Sequence, residues 1–526
     1  MQIGRRVLYT DVERITTSNV VDVIANAMSD FLANALDCDR LLQIEAGYMP
    51  LEREKTVRAD IDVQTVDSVA NEITEFKRAY HWGIPITLVQ RGETDSGNEE
   101  ETEAIALFNE CYSAENLGKK QHVLGRFIEI CGIGYTFIDI KRNWIDGDSF
   151  FQYETLDPRY AFVVRSSYYS DHRIMLGVTF RTDSQGNKYF TAFSVDRRYE
   201  ILCNKIINGE DDQTEEWVNK SKGGVRNLLG VIPIIEWERS PDRMGVFERE
   251  IPEMKRLNLI ISDIGNDIDQ ETQCIWHSND VEFPKVVDAD GNLTDEKVTP
   301  KSNDWVCTST TRDGRQPFIK PLTTNYNYEG LLRNYQSTRS LILQRCYTPS
   351  RSESSTGSSG TAMDSATGWS AAEQVANAQQ LLMESSKMEE VRVALQAIKK
   401  NPNVPADSSL LKLRYMDVKP NVMRNKTYEL STKINAFATG VSHGIAPQHM
   451  IKVVNMFDDP NQVIADSKPY MDRYLKSIYD KQNEAVGGEG EQQPDADRIM
   501  QDKSDQIENS PLIESTSIKE TKKEDE

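Results

Sequence analysis

The segment from Glu253 to Lys400 constrains the fold most, because it interleaves helical periodicity with a β-rich insert. IPEMKRLNLIISDIGNDIDQETQCIW places Met254, Leu257, Ile261, Ile264, Ile268 and Ile275 three, four or seven residues apart, the spacing of one helical stripe. NYNYEGLLRNYQSTRSLILQRCY carries a second set, Tyr328, Leu331, Tyr335, Ile342 and Cys346. Between the two, VEFPKVV, DWVCTST and PFIKPL read as strands, with turns at Asp290-Gly291 and Asp313-Gly314. The polar loop TPSRSESSTGSSG then leads into a third helix, WSAAEQVANAQQLLMESSKMEEVRVALQAIKK. Two helices that leave a body, carry a small β module and return form a protrusion. A bare helical hairpin buries little, so this one needs neighbours.

The rest of the chain supplies the body. At 526 residues, with 38% hydrophobic residues, it can hold two to four domains and a large core. A net charge of −22 excludes a protein that grips nucleic acid over its general surface. It does not exclude one that encloses DNA without holding it tightly. Seven scattered cysteines, without CxxC or metal-ligand spacing, are expected as free thiols in a reducing cytoplasm. No apolar run reaches membrane-spanning length, and no membrane partner is expected.

In chain order, Ser18 is a plausible N-cap for a helix through Val20, Ile24, Met28 and Phe31. VRADIDVQTV reads as a strand, and a second helix with Val69, Ile73, Phe76 and Tyr80 ends at HWGIPITL. RGETDSGNEEETE reads as a solvated acidic loop, and two helices follow between Ile105 and Ile130. A β meander runs from GIGYTFIDI to RRYEIL, with turns at Asp146-Gly147 and Gln185-Gly186-Asn187. Trp217–Gly224 reads as loose, LLGVIPIIEWE as a buried strand, and LLKLRYMDV as one more strand after the third helix. Helices are expected at Lys426–Thr439, Ala446–Val454 and Pro460–Ile478. From Lys481 onward, six basic and thirteen acidic residues predict a disordered tail. The fold class is α+β.

The chemistry of a self-contained enzyme is missing from these patterns. There is no GxxxxGK[ST] loop; Gly357-Ser358-Ser359-Gly360 has neither the lysine nor a preceding buried strand. DADGNLTDE misses the calcium-loop spacing, and Gly132-Ile133-Gly134 lacks the third glycine of a dinucleotide fingerprint. His443 and His449 have no accompanying carboxylate-helix signature. No catalytic residue, cofactor or metal is therefore assigned. The charges of the protruding helices say more. Asp263, Asp267 and Glu271 follow i, i+4, i+8 spacing and make one acidic ridge. Such a ridge is either a solvated face or a lining that repels a polyanion and lets it slide. Arg333, Arg339 and Arg345 recur about every six residues. They suit pairing with acids of an adjacent copy, or sparse phosphate contacts.

The order of segments resembles the portal (connector) proteins of tailed bacteriophages, in the siphovirus-type branch. The resemblance runs from about Ile15 to Tyr479 and rests on four stretches. NEITEFKRAYHWGIPITL resembles a helix closing in a glycine–proline step, and NLGKKQHVLGRFIEICGIGYTFIDI the following helix and small-residue strand start. LLGVIPIIEWERSPDRMGVFEREIPEMKRLNLIISDIGNDID is the most specific, and SSGTAMDSATGWSAAE resembles the Ser-Gly-x-Ala element after the family's tunnel loop.

The resemblance implies a phage portal fold assembled as a ring, usually of twelve copies. Residues 1–250 would be the wing, 251–278 the first stem helix and 279–323 the clip. Residues 324–347 would be the second stem helix and 348–364 the tunnel loop, with Ser354, Ser355, Thr356, Gly357, Ser358 and Ser359 at its centre. The long wing helix and a returning strand occupy 365–425, the helical crown 426–480 and the acidic tail 481–526. The implied role is a non-enzymatic channel at one capsid vertex of the virion, assembled in the host cytoplasm. Its implied partners are double-stranded DNA, terminase, the head–tail adaptor, and major capsid and scaffolding proteins. Another ring-forming virion component, an adaptor or minor capsid protein, is the alternative. A metal-dependent nuclease built on the acidic clusters is a third reading.

Overall fold

The computed structural model describes residues 4–53, 60–91, 99–168, 171–207, 213–272, 276–279, 285–287, 293–297, 318–321, 328–349, 368–425 and 430–445, with single positions at 450, 454, 467 and 470. They fall into two units, residues 1–426 and 427–526.

The first unit is α+β. Its N-terminal helix α1 (Val20–Glu45) turns Val20, Ile24, Met28 and Phe31 onto a sheet. Asn19, not Ser18, precedes the first turn, and its side-chain oxygen accepts the Thr16 N–H. The sheet runs β1 (Leu8–Thr10), β5 (Ala161–Ser166), β6 (Ile174–Thr182), β7 (Lys188–Phe193), β8 (Arg197–Ile207), β10 (Val225–Arg226), with β9 (Gln213–Asn219) also on β8. β1 lies parallel to β5, and the remaining pairs are antiparallel. Phe162, Val178, Phe190 and Ile201 meet the helix from this sheet. The β6–β7 turn closes at Gly186, with Asp183 accepting the Gln185 and Asn187 N–H groups. Trp217 belongs to β9 rather than to a loose connection, and its ring stacks on Phe190 at 5.2 Å.

A second, three-stranded sheet forms the centre: β11 (Ile234–Glu238), β3 (Ile133–Ile140) and β4 (Phe151–Leu156). Helix α2 (Val69–Trp82) and helix α4 (Leu117–Cys131) pack together, and α4 feeds β3 through Gly132. Gly132 has φ +78° and caps α4 by donating to Ile128 O, and a Cβ on Gly134 would fall 2.8 Å from Leu124. The Gly-Ile-Gly step is thus a helix cap and a close packing contact. Helix α3 (Glu99–Ala114) starts inside the expected acidic loop, because Glu99, Glu100, Glu101 and Glu103 sit at the favourable end of its dipole.

The long third helix, α7 (Trp369–Lys400), crosses β11 and β3. Past it, LLKLRYMDV does not form a strand. Leu410 and Leu413 are both buried at three-residue spacing, which suits the tight turns found there. Strand β16 (Val418–Asn421) follows, antiparallel to β2 (Thr87–Gln90). Helix α5 (Ile251–Thr272) and helix α6 (Tyr328–Arg345) form the expected pair. Trp276 lies in strand β12 (Trp276–Asn279), which pairs with β15 (Phe318–Pro321), so α5 is shorter than its pattern suggested. β13 (Lys285–Val287) and β14 (Leu293–Lys297) pair antiparallel, and the expected turn at Asp290-Gly291 lies outside the described residues. DWVCTST, Asp313-Gly314 and Ile275 lie outside the described residues. In the second unit, helix α8 covers Leu430–Ser442, and the other expected helices and tail lie almost wholly outside the described residues.

Among the described residues, an ion pair on α7 is wholly buried. Lys387 bonds Glu390 one turn along α7, its ammonium sits 3.8 Å from the Tyr112 ring centre, and the Tyr153 hydroxyl donates to Glu390 at 3.3 Å. Burial pushes the Lys387 ammonium down and both tyrosine hydroxyls up. Removing one partner strands a charge, so Glu390→Ala is expected to cost about 3–5 kcal/mol. The double change Lys387→Met, Glu390→Leu should be near neutral, and denaturant unfolding of both variants measures the contrast.

Candidate channel-forming helix pair

Helix α5 spans about 33 Å at 1.5 Å per residue, with Pro252 in its first turn where no intrahelical donor is lost. Only its first turns enter the apolar core, through Ile251, Met254 and Leu257. At the other helix the last turn does so, through Ile342, Leu343 and Cys346. The pair is rooted in the body at one end. Beyond the root, the buried positions of α5 are polar: Asn258, Ser262 and Asn266.

These three residues explain a segment that sequence reading made a strand. Residues 61–67 belong to no sheet. The N–H groups of Val63, Thr65 and Asp67 donate to Asn266 Oδ1 (2.8 Å), Ser262 Oγ (2.9 Å) and Asn258 Oδ1 (2.9 Å). Ser262 Oγ also donates to Thr65 O at 3.2 Å. Four helical residues rise about 6 Å and two extended residues advance about 6.6 Å, so the two spacings match over three rungs. Gly265 makes the approach possible, since a Cβ there would fall 2.9 Å from Val63 Cγ1. Asp67 then ties this strap to the other helix, accepting from Tyr335 Oη at 2.6 Å and Arg339 Nε at 3.1 Å. Burial and the Asp67 carboxylate push the Tyr335 hydroxyl up to about 12.

The expected apolar stripe is therefore split. Met254 and Leu257 are buried, Ile261 and Ile264 half-buried, and Ile268 is 51% exposed. At about 100° per residue, α5 carries three ridges: the polar rungs, the isoleucines, and the acidic set. Within that set Asp263 bonds Arg53, Asp267 is half-buried and Glu271 is exposed. The arginines of α6 also find acids in their own chain. Arg339 bonds Asp67 and Glu72, so the structure places it in an intramolecular cluster and not free for a neighbour or phosphate. Arg345 meets Glu250 at 3.2 Å. Arg333 lies 3.6 Å from Glu329 with both side chains open to solvent. Ser354, Ser355, Thr356, Gly357, Ser358 and Ser359 lie outside the described residues.

Helix α6 ends in paired capping bonds, Tyr347 N–H to Gln344 O (3.0 Å) and Thr348 N–H to Leu343 O (2.9 Å). Tyr347 adopts φ +52°, a left-handed conformation usually left to glycine. The buried Lys77 ammonium donates to Tyr347 O at 3.0 Å. Behind it, Glu129 is bonded by His81 Nδ1 (2.9 Å), Trp82 Nε1 (3.4 Å) and Arg239 Nε (3.1 Å). Burial alone would raise the Glu129 carboxyl. The hydrogen bond and charge of His81, with the charges of Arg239 and Lys77, overcome it and hold the group at about 2.

A cleft of about 600 Å³ between α7 and β11 presents Arg165, Glu236, Glu389 and Arg392. These charges are paired, Arg165 with Glu236 at 2.7 Å and Arg392 with Glu389 at 3.5 Å. Among the described residues no three His, Cys, Asp or Glu side chains are placed to hold a metal ion. No described helix is long and apolar enough to cross a membrane.

A paired helical protrusion rooted in an α+β body, with β pairs beyond its far end, is the arrangement expected of a phage portal protein. The family model for such proteins matches residues 58–473, most of the chain, and the chain belongs to that family. The matched family is the one described as "Phage portal protein, SPP1 Gp6-like". The protein is thus a virion component with a portal function in DNA packaging. No curated protein sequence matches the chain.

Two measurements check the local geometry. Ser262→Ala leaves the Thr65 N–H facing a methyl group, and should lower unfolding stability by about 1–3 kcal/mol. Glu129 is held below its ordinary 4.5, so its contribution is present above pH 4.5 and is lost as pH falls towards about 2. Glu129→Gln should flatten that part of the stability–pH curve.

Proposed function

We propose that this chain assembles, through the α5–α6 pair, into a ring of about twelve copies around a DNA channel. In this reading 1–250 and 365–425 form the wing, α5 and α6 the stem, 279–323 the clip, and 348–364 the tunnel loop with Ser354–Ser359 at its centre. Residues 426–480 form the crown. The protein has no catalytic activity of its own: terminase drives DNA through the ring during packaging, and the head–tail adaptor docks on the clip. Major capsid and scaffolding proteins surround the wing as the ring is built into the vertex.

The observation that carries the reading is the division of α5 into three ridges. The strap covers one ridge with backbone hydrogen bonds. The isoleucine ridge, where Ile268 is exposed, and the exposed Leu332 and Leu341 of α6 give a neighbouring copy apolar side chains to cover. Asp267 and Glu271 then remain as the acidic ridge for the bore, where like charge keeps DNA from sticking. Asp263 contributes less, because Arg53 balances it. Arg333 is the arginine left at the solvent edge, where an acid of the next copy can exchange with Glu329.

Class averages of the purified protein by electron microscopy test the assembly. Rings with an axial hole and a narrow stem are expected, and a compact monomer overturns the proposal. The lining is tested by Asp267→Lys together with Glu271→Lys. Rings should still form, DNA packaging should fall about tenfold or more at low salt, and added salt should recover part of it. Unchanged packaging would place the acidic ridge away from DNA. Deleting Ser354–Ser359 should leave rings intact and impair packaging or DNA retention.

A further inference from the structure

We propose that Lys77 is a proton-controlled fastener for the C-terminal end of α6: it holds that end firmly when neutral and loosely when charged. This stands apart from the portal assignment and concerns only how α6 is tied to α2.

The geometry makes the point first. Lys77 is 1% exposed, and among the described residues its single hydrogen bond goes to Tyr347 O at 3.0 Å. An ammonium has three donors, so a buried one with a single acceptor is under-satisfied. A neutral amine in the same place demands less. The peptide it holds is itself a costly one, because Tyr347 is left-handed without being glycine. Next to it the Thr348 hydroxyl is buried without a partner among the described residues. Beyond the helix's own capping bonds, Lys77 is the side chain that binds this peptide among the described residues.

The charged and titratable groups around Lys77 do not cancel this. Glu129 on α4 attracts the ammonium, but its oxygens are engaged by His81, Trp82 and Arg239. Arg239 repels it. The Cys346 thiol on α6 is pushed up to about 12 by burial and stays protonated. Phe76 offers only its ring, 5.5 Å away. Burial is the largest influence, and it lowers the ammonium from 10.5 to about 8 against the pull of Glu129.

The sign follows from linkage. Opening the α6 end lets the ammonium hydrate and return towards 10.5, so the open form binds its proton more tightly than the closed form. Below about pH 8 both forms are charged and opening has its highest population. Between about 8 and 10.5 the closed form is neutral while the open form is still charged. Each pH unit there makes opening about tenfold rarer.

Hydrogen exchange of the Tyr347 and Thr348 amides, followed by mass spectrometry of the full chain from pH 6.5 to 10, tests this. Intrinsic exchange accelerates about tenfold per pH unit, and a constant opening population would pass that slope on unchanged. In the wild-type protein the observed rate should climb to about pH 8 and then level off, as rarer opening offsets faster chemistry. Lys77→Arg keeps a donor but does not lose its proton in this range, so its rate should keep climbing. Lys77→Met has no proton to lose and should also show no levelling. Levelling in wild type alone supports the fastener. Levelling shared with Lys77→Arg, or absent from wild type, overturns it, and this comparison holds even if Lys77→Met does not fold.

Discussion

Three backbone amides without a strand to pair with set the geometry of this protein. The N–H groups of Val63, Thr65 and Asp67 point at α5, where water is excluded and an unmet donor costs about 1–3 kcal/mol. Asn258, Ser262 and Asn266 meet them, and so fix both the register of the strap and the rotation of α5 about its axis. The strap continues directly into α2, and its Asp67 carboxylate binds Tyr335 and Arg339 of α6. Body, first helix and second helix are joined through one eight-residue stretch. A hairpin with so little apolar burial beyond its root could not hold its direction by packing alone.

The polar seam also decides what the pair shows to the outside. A helix has room for about three ridges, and one spent on the strap leaves Ile268 and Glu271 exposed on the other two. In the proposed ring a neighbouring copy would cover this apolar surface. The acidic ridge has the opposite character, since solvated carboxylates lose by being buried against a neighbour. One face therefore seeks contact while another avoids it, which is the asymmetry a ring with an open centre requires.

Much of this was legible in the residues, and the failures have common causes. The pair α5–α6 and the long helix α7 follow from apolar spacing, and the Asp146-Gly147 and Gly186 turns from their chemistry. The strap was misread because Ile61, Val63 and Thr65 alternate like a strand, and periodicity cannot tell whether the partner of a backbone amide is another strand or a side chain. Asn258, Ser262 and Asn266 were visible at i, i+4, i+8, but a solvated helix face has the same pattern. Trp217 was lost in a polar run because only it and Val218 are apolar among the seven residues of β9. Leu410 and Leu413 were taken for a strand although their three-residue spacing belongs to a tight turn. Arg339 was assigned outward because its two acids, Asp67 and Glu72, lie more than 260 residues away along the chain.

Buried charge in the body sits where elements meet. Glu236 on β11 gathers Arg165, Arg243 and Tyr135; Glu129 on α4 gathers His81, Trp82 and Arg239; Glu390 on α7 gathers Lys387 and Tyr153. Each carboxylate joins groups from different parts of the fold or clamps a helix that crosses the central sheet. Burying a charge is unfavourable against an apolar core of the same volume, so such hubs are poor sources of stability. They are exacting in another way. A sliding apolar contact changes little over an ångström, whereas a carboxylate with three directed donors loses a bond and keeps its desolvation. The joints of the body are accordingly stiff in geometry, and at the root of α6 an under-satisfied ammonium adds to apolar packing and capping bonds.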